Sequence, residues 1–346
     1  SNLIGQTSAV FHSWKDYYIP LYEKQYYVVI GVDDSDHESA PSNEVSGVRI
    51  NSEHELSEVW RVDDGGFSDH SIRRIIYNKS TDHLMISDVD DDVIHIVEAS
   101  NGSDTGQDLV SPEPGWVNFG PYGLTIDDEG VIYANQFWGN GNLYRWQDES
   151  STPTIAAGTS EIPWDTRGLF AIGSGINTKI FCVGEDSKVN ILTTENGLTY
   201  EHSDEIDTND LSARHGIWAN ETGTEVLCTY LLTGAAGIQK WKWVDSDWEK
   251  DTDFSPTIGG VDGIWKIPPD IIFTAHSDNN RVTILEALKG ATAGRSDDLG
   301  VGNISMDIFV DTSNKLVYWC RDGLGYGCLQ YTFIKASHYA TLWNLY

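Results

Sequence analysis

The chain lacks any run of about 18 apolar residues, so it offers no helix long and apolar enough to cross a membrane. No segment sustains a 3.6-residue apolar period, and helix is therefore expected to be scarce. Basic residues are few: 22 Lys and Arg stand against 53 Asp and Glu, a formal charge of −31. A duplex binder needs a basic stripe to neutralise phosphates, which excludes nucleic acid as a partner. Only four cysteines occur in 346 residues, with no CxxC or Cys/His spacing, so zinc motifs and a dense disulfide scaffold are excluded. Nucleophile-elbow, HExxH, P-loop and dinucleotide fingerprints are all missing.

What is abundant is glycine (33 residues) and aromatic side chains (13 Trp, 16 Tyr, 10 Phe), set in short alternating segments that suit strands packed face to face. The clearest segment runs from Phe119 to Trp146. A short strand, Leu124 to Ile126, meets the tight turn Asp127-Asp128-Glu129-Gly130, followed by a strand from Val131 to Asn135, a Gly/Asn-rich loop and a third strand from Leu143 to Trp146. This β-meander recurs. Copies start at Arg73, Tyr122, Arg167, His215, Asp262 and Met306, in steps of 49, 45, 48, 47 and 44 residues. That period is the one expected of four-stranded blades, and six copies predict an all-β, six-bladed β-propeller over 51–346. Leu56 to Val62 (LSEVWRV) alternates like a strand and competes with Tyr339 to Tyr346 (YATLWNLY) to complete the last blade and remove its free edge.

In a propeller the innermost strands begin at one mouth of the central channel. The six starting positions therefore bring Arg73, Tyr122, Arg167, His215 and Asp262 to a shared rim that suits an anionic or sugar-like ligand, Arg supplying forked donors and Tyr a stacking face. The alternative is that they pair with one another, Arg214 or Arg167 with Asp262 or Asp165, and plug the channel. Asp88, Asp90 and Asp92 lie in a run that looks like a Ca²⁺ loop but lacks the Gly and distant Glu of an EF-hand, so a plain acidic turn competes with a metal site. Ca²⁺ is the one cofactor the acidic surface invites. Cys320 and Cys328 flank a hairpin loop and are expected to face each other, where a disulfide would add about 2–3 kcal/mol. Cys182 and Cys228 read as small buried hydrophobes. Trp138, Trp241, Trp243 and Trp248 are open to two readings, a carbohydrate platform or packing between blades.

Residues 1–50 do not fit the repeat. Tyr26-Tyr27-Val28-Val29, Val32-Asp33 and the stretch Glu38 to Ser46 (ESAPSNEVS) resemble the late strands of a bacterial fibronectin type III domain, which implies the C-terminal half of such a β-sandwich module. The repeats themselves, through Tyr122-Gly123-Leu124, Gly130-Val131-Ile132-Tyr133 and His276 to Val282, resemble the NHL and gluconolactonase-like propellers. The lactonases of that group hold a divalent metal with an acid, an Asn and an Asp placed before such glycines. Of the matching positions here, only Asp262 carries a suitable ligand. A second likeness, through GVIYANQF and LYRW, is to secreted bacterial propellers found beside surface modules, and it implies no activity. The expectation is a non-catalytic binding or structural module of a larger protein, secreted or at the cell surface, meeting a protein or glycan through propeller faces and open to self-association. The rival is a metal-dependent lactonase or lyase working near Asp262 and His215.

Overall fold

The computed structural model describes residues 24–27, 45–48, 54–62 and 72–333, apart from 113–115, 117–119, 137–140, 163–164, 185–186, 209–212, 233–234, 255, 257, 259, 268–270, 277–280, 287–291, 297–298, 300–305 and 322–324. The chain divides into two compact units, residues 1–53 with 333–346, and 54–332. Of the first unit the described part is one antiparallel pair, Lys24–Tyr27 with Val45–Val48, in the register Lys24 to Val48 and Tyr27 to Val45. The remainder of the fibronectin-like segment lies outside the described residues, as does Tyr339 to Tyr346.

The second unit is a six-bladed propeller of four-stranded antiparallel sheets. From the channel outward, blade one is Ile72–Asn78, His83–Asp88, Val93–Glu98 and Asp104–Asp108. The innermost strands of blades two to six are Pro121–Ile126, Gly168–Ile172, Ala213–Ala219, Val261–Ile267 and Met306–Asp311. Blade six takes its outermost strand from the start of the unit: His54–Val62 lies beside Gly325–Phe333. The ring is thus closed by the LSEVWRV segment. Trp60 seals the join, its indole N–H donating to the Ala99 carbonyl of blade one at 3.2 Å while its ring meets Tyr318 and Tyr326 of blade six. The only helix among the described residues is a single 3-10 turn, Gly175–Asn177.

Burial explains why each blade needs its neighbours. A strand with both faces apolar has to be covered twice, and the six large core clusters each join two adjacent blades. Leu143 and Tyr133 of blade two meet Leu169, Ile180 and Cys182 of blade three, for example, and Phe273 and Ile284 of blade five meet Val317 and Trp319 of blade six. Many acids are spent on turns. Asp127 Oδ1 accepts the backbone N–H groups of Glu129 and Val131, Asp311 Oδ1 that of Ser313, and Asp148 Oδ1 that of Ser150. Such Asx turns let the backbone reverse between short strands, which accounts for part of the acidic composition without invoking a ligand.

Candidate functional site at the channel rim

The inner strands all start at one end of the propeller, and there the pairing slips. In blades one, two, four and five the register between the first two strands shifts across the intervals Ile72 to Arg74, Pro121 to Gly123, Ala213 to Ile217 and Val261 to Gly263. Those intervals contain Arg73, Tyr122, His215 and Asp262. A residue left unpaired by a bulge is re-aimed, here at the mouth of the channel, which is how the sequence repeat becomes a convergent set of side chains.

The structure brings the five rim residues together. Guanidinium carbons of Arg73 and Arg167 sit 5.4 and 5.8 Å from the Tyr122 ring centroid, within cation–π range. The Tyr122 and His215 rings lie 6.3 Å apart. His215 Nδ1 is 2.9 Å from Asp262 Oδ1, and Arg167 Nη1 is 3.2 Å from His215 Nε2. Arg has only donors, so Nε2 accepts and Nδ1 carries the proton donated to Asp262. His215 is therefore a neutral imidazole held at both nitrogens. Burial pushes its pKa down; Asp262 opposes this, and Arg74 and Arg167 reinforce it.

Arg74 and Asp307, which the repeat alignment passes over, stand one position further along the strands. Arg74 Nε and Nη2 donate to the Arg167 carbonyl at 3.1 and 2.6 Å, and Nη2 also donates to the His215 carbonyl at 2.8 Å. Its Nη1 pairs with Asp307 Oδ1 at 3.2 Å, and Asp307 Oδ2 accepts the Ile75 N–H at 3.2 Å. One guanidinium from blade one thus ties blades three, four and six together beneath the rim. Rim residues do pair with one another, through Arg167, His215 and Asp262, and Arg74 with Asp307 adds a second layer beneath them. Met306 contributes no described side chain, and blade six, which has no register slip at this point, offers Asp307 instead.

The other sequence-derived sites fare differently. Asp88 is buried, and its Oδ1 accepts the N–H groups of Asp90 and Asp91 at 3.0 and 3.2 Å. Asp92 adopts a left-handed backbone (φ 56°), and its Oδ1 accepts the Gly120 N–H at 2.8 Å, stitching blade one to blade two. The three carboxylates Asp88, Asp90 and Asp92 are thus not gathered on one point. The set that converges is Asp88, Asp91 and His95, each presenting one ligand atom within 4.8 Å of the others, with Asp108 on His95 Nδ1 at 2.9 Å. These are the residues able to hold a cation in that turn. Cys320 and Cys328 are buried thiols not joined to each other, which corrects the expected disulfide. Cys320 pairs across the ladder with Tyr326, and Cys328 with Tyr318, so the two sit two residues out of register on neighbouring strands. Cys182 and Cys228 are fully buried in blade interfaces. Trp241 is likewise interior, and Trp243 meets Trp248 edge-on at 5.3 Å on the outer strands of blade four. Trp138 lies outside the described residues.

The neutral state of His215 has a measurable consequence. A histidine whose folded pKa lies below its ordinary value binds fewer protons folded than unfolded, so its contribution is intact above about pH 6.5 and is lost as the pH falls through the depressed value. His95 has the opposite sign. Burial works to lower its pKa, but the Asp88 and Asp108 carboxylates overcome that and raise it, so its contribution fades as the pH rises. Urea unfolding of wild type and H215Q at pH 7.5 and 5.5 separates the two, because only the His215 component disappears in the variant. The wild type is expected to lose more stability than H215Q on this acid step. An equal loss would show that His215 does not titrate against folding.

No protein-family model matches the chain, and no curated protein matches it. Solved structures do. The gluconolactonase XC5397 of Xanthomonas campestris aligns with a TM-score of 0.55 at 10% identity, covering 77% of this chain and 88% of its own. A second structure, a candidate gluconolactonase, aligns with a TM-score of 0.57 at 12% identity over 81% of this chain and 92% of its own. The U3-55K protein follows with a TM-score of 0.53 at 11% identity, covering 77% and 78%. At such identities the likeness is one of fold: this chain is an all-β, six-bladed β-propeller, similar in architecture to the gluconolactonases.

Proposed function

We propose that the propeller is a non-catalytic binding module of a secreted or cell-surface protein, and that its rim engages a carboxylate-bearing glycan or an acidic protein segment. The observation that carries this is the placement of Arg73 and Arg167 within 6 Å of the Tyr122 ring in a chain of formal charge −31. Cations gathered at a concave mouth of an otherwise acidic protein focus the field there and select anionic partners. Forked guanidinium groups beside an aromatic face suit a carboxylate on a sugar ring.

The divalent metal of lactonase chemistry does not fit this rim. Among the described residues no set of three His, Cys, Asp or Glu ligands gathers there. Asp262 is engaged by His215, whose far nitrogen is engaged by Arg167, and guanidinium groups crowd the place a cation would occupy. An enzyme reading keeps one specific support, the His215–Asp262 pair at 2.9 Å beside the mouth of a fold shared with gluconolactonases, because a neutral imidazole oriented by a carboxylate is the arrangement of a general base.

Calorimetric titration with oligogalacturonate and with its neutral methyl ester tests the two. Charge-assisted contacts of this kind are worth about 1.5–3 kcal/mol, so R73A and R167A are each expected to weaken acidic-ligand binding about 10–100-fold. Binding that is indifferent to both substitutions and to esterification would overturn the rim reading. Lactone or uronide turnover that H215Q abolishes would transfer the site to the enzyme reading.

A further inference from the structure

Beyond the Arg74–Asp307 pair, the far end of the channel opens as a cavity of about 900 Å³. It is lined by the second halves of the inner strands and the turns that follow them, and it reaches inward as far as Asp307. Its wall is unlike the rim. Phe170, Trp265 and Phe309 come from blades three, five and six, are only partly buried, and meet across the axis with ring centroids 5.2 Å (Phe170 to Trp265) and 4.4 Å (Trp265 to Phe309) apart. Inside, Asp307 pairs with Arg74 and Lys266 with Glu225, while the buried Asp127 and Asp311 carboxylates accept turn N–H groups from Val131 and Ser313. Those exposed around the mouth are Asp128, Glu129 and Glu221 against Lys79.

The mouth acids are mutually unfavourable. Burial raises the Asp128 pKa, the Gly173 backbone opposes that, and the Glu221 carboxylate of blade four raises it further, so acids of blades two and four share one field across the opening. A cation placed between them relieves that repulsion, and an aromatic floor attracts the same cation through its ring faces while accepting an apolar body. An anion would be repelled at the mouth, and a purely apolar molecule would gain nothing from the acids.

We propose that this cavity binds an organic cation with an apolar body, of the quaternary-ammonium or aromatic-amine class, seated on Phe170, Trp265 and Phe309 with its charge toward Asp128 and Glu221. The site is distinct from the rim in place and in the sign of charge it selects, so it stands or falls independently of the function proposed for the rim.

The test uses the full chain and benzyltrimethylammonium as probe, with neopentylbenzene as its uncharged counterpart of similar shape, in calorimetry and methyl NMR. Saturable one-to-one binding is expected, with shifts centred on the methyl groups of Ile126 and Ile267, which line the cavity. W265A is expected to weaken it about tenfold, the scale of a desolvated cation–π contact. Because Trp265 is partly core, E221Q and D128N serve as surface variants that leave packing intact, and each should weaken binding severalfold. No saturable binding at roughly millimolar probe, equal affinity for the uncharged counterpart, or indifference to all three substitutions would each overturn the proposal.

Discussion

Replacing Arg74 by Met is expected to cost about 3–5 kcal/mol, the usual penalty for removing one partner of a buried ion pair, and to lower the melting temperature by roughly 6–10 °C in a domain of this size. The substitution keeps much of the side-chain volume, so the loss is electrostatic. It leaves the Arg167 and His215 carbonyls without their guanidinium donor and Asp307 without its counter-ion. Burial already pushes the Asp307 pKa up, and Arg74 is the first influence holding it down. A carboxyl whose folded pKa is raised stabilises the fold while protonated and loses that contribution as the pH rises through the raised value. Without Arg74 that value climbs further, so the deficit of R74M against wild type should be smaller at pH 4.5 than at pH 7.5, the share due to the two carbonyls remaining at both. The double variant R74M/D307N should recover most of the loss at pH 7.5, since it removes the stranded charge. A deficit that is the same at both pH values and in the double variant would mean that packing, not charge, makes Arg74 important.

The same pair shows how much of the molecule could be read from the chain. The position after each rim residue is Arg74 in blade one, Gly123, Gly168, Gly216 and Gly263 in blades two to five, and Asp307 in blade six. Four glycines flanked by one cation and one anion, with the ring bringing blade six back to blade one, spell an ion pair in a space that the glycines leave open. Repeat alignment on the preceding position hides it. The six blades and the convergence on the rim were legible because the 44-to-49-residue period runs through every copy and the Gly-containing strand start survives in four of the six. The closing strand was not, since LSEVWRV and YATLWNLY have equal strand character and only the seating of Trp60 against Ala99, Tyr318 and Tyr326 distinguishes the segment that closes the ring. The cysteine pairing failed on a count of two. Arg321 opposes Gly325, which fixes Tyr326 opposite Cys320, and sequence alone does not say where a hairpin turns. The trio Asp88, Asp90 and Asp92 is not the set that converges: Asp92, with a left-handed backbone, gives its carboxylate to the Gly120 N–H, and Asp91 and His95 stand beside Asp88 instead.

Gly216→Ala is expected to cost about 3 kcal/mol or more, at the upper end of what overpacking a well-filled interior costs. A Cβ at this position would lie 2.2 Å from the Asp262 carbonyl oxygen, 2.8 Å from Thr229 Cγ2 and 3.0 Å from Ile264 Cγ2. Gly168 stands in the same relation to the next blade, its added Cβ falling 2.2 Å from the His215 carbonyl oxygen. The nearest atom in both cases is backbone, so no rotamer change relieves the clash and the inner strands have to separate. Separation would carry the His215 and Asp262 carbonyls outward and loosen the Arg74 bridge and the His215–Asp262 hydrogen bond with it. Both variants are therefore expected to lose rim-ligand affinity along with stability, although neither glycine has a side chain to touch a ligand. Gly158→Ala is the control: nothing lies within 4 Å of its added Cβ, and restricting the unfolded chain there should leave stability unchanged or raise it by about 0.4–1 kcal/mol. Urea unfolding of the three variants decides the matter. Equal midpoints for G216A and G158A would show that the inner strands have room to spare, and that glycine after the rim residue is not what allows the blades to crowd the axis.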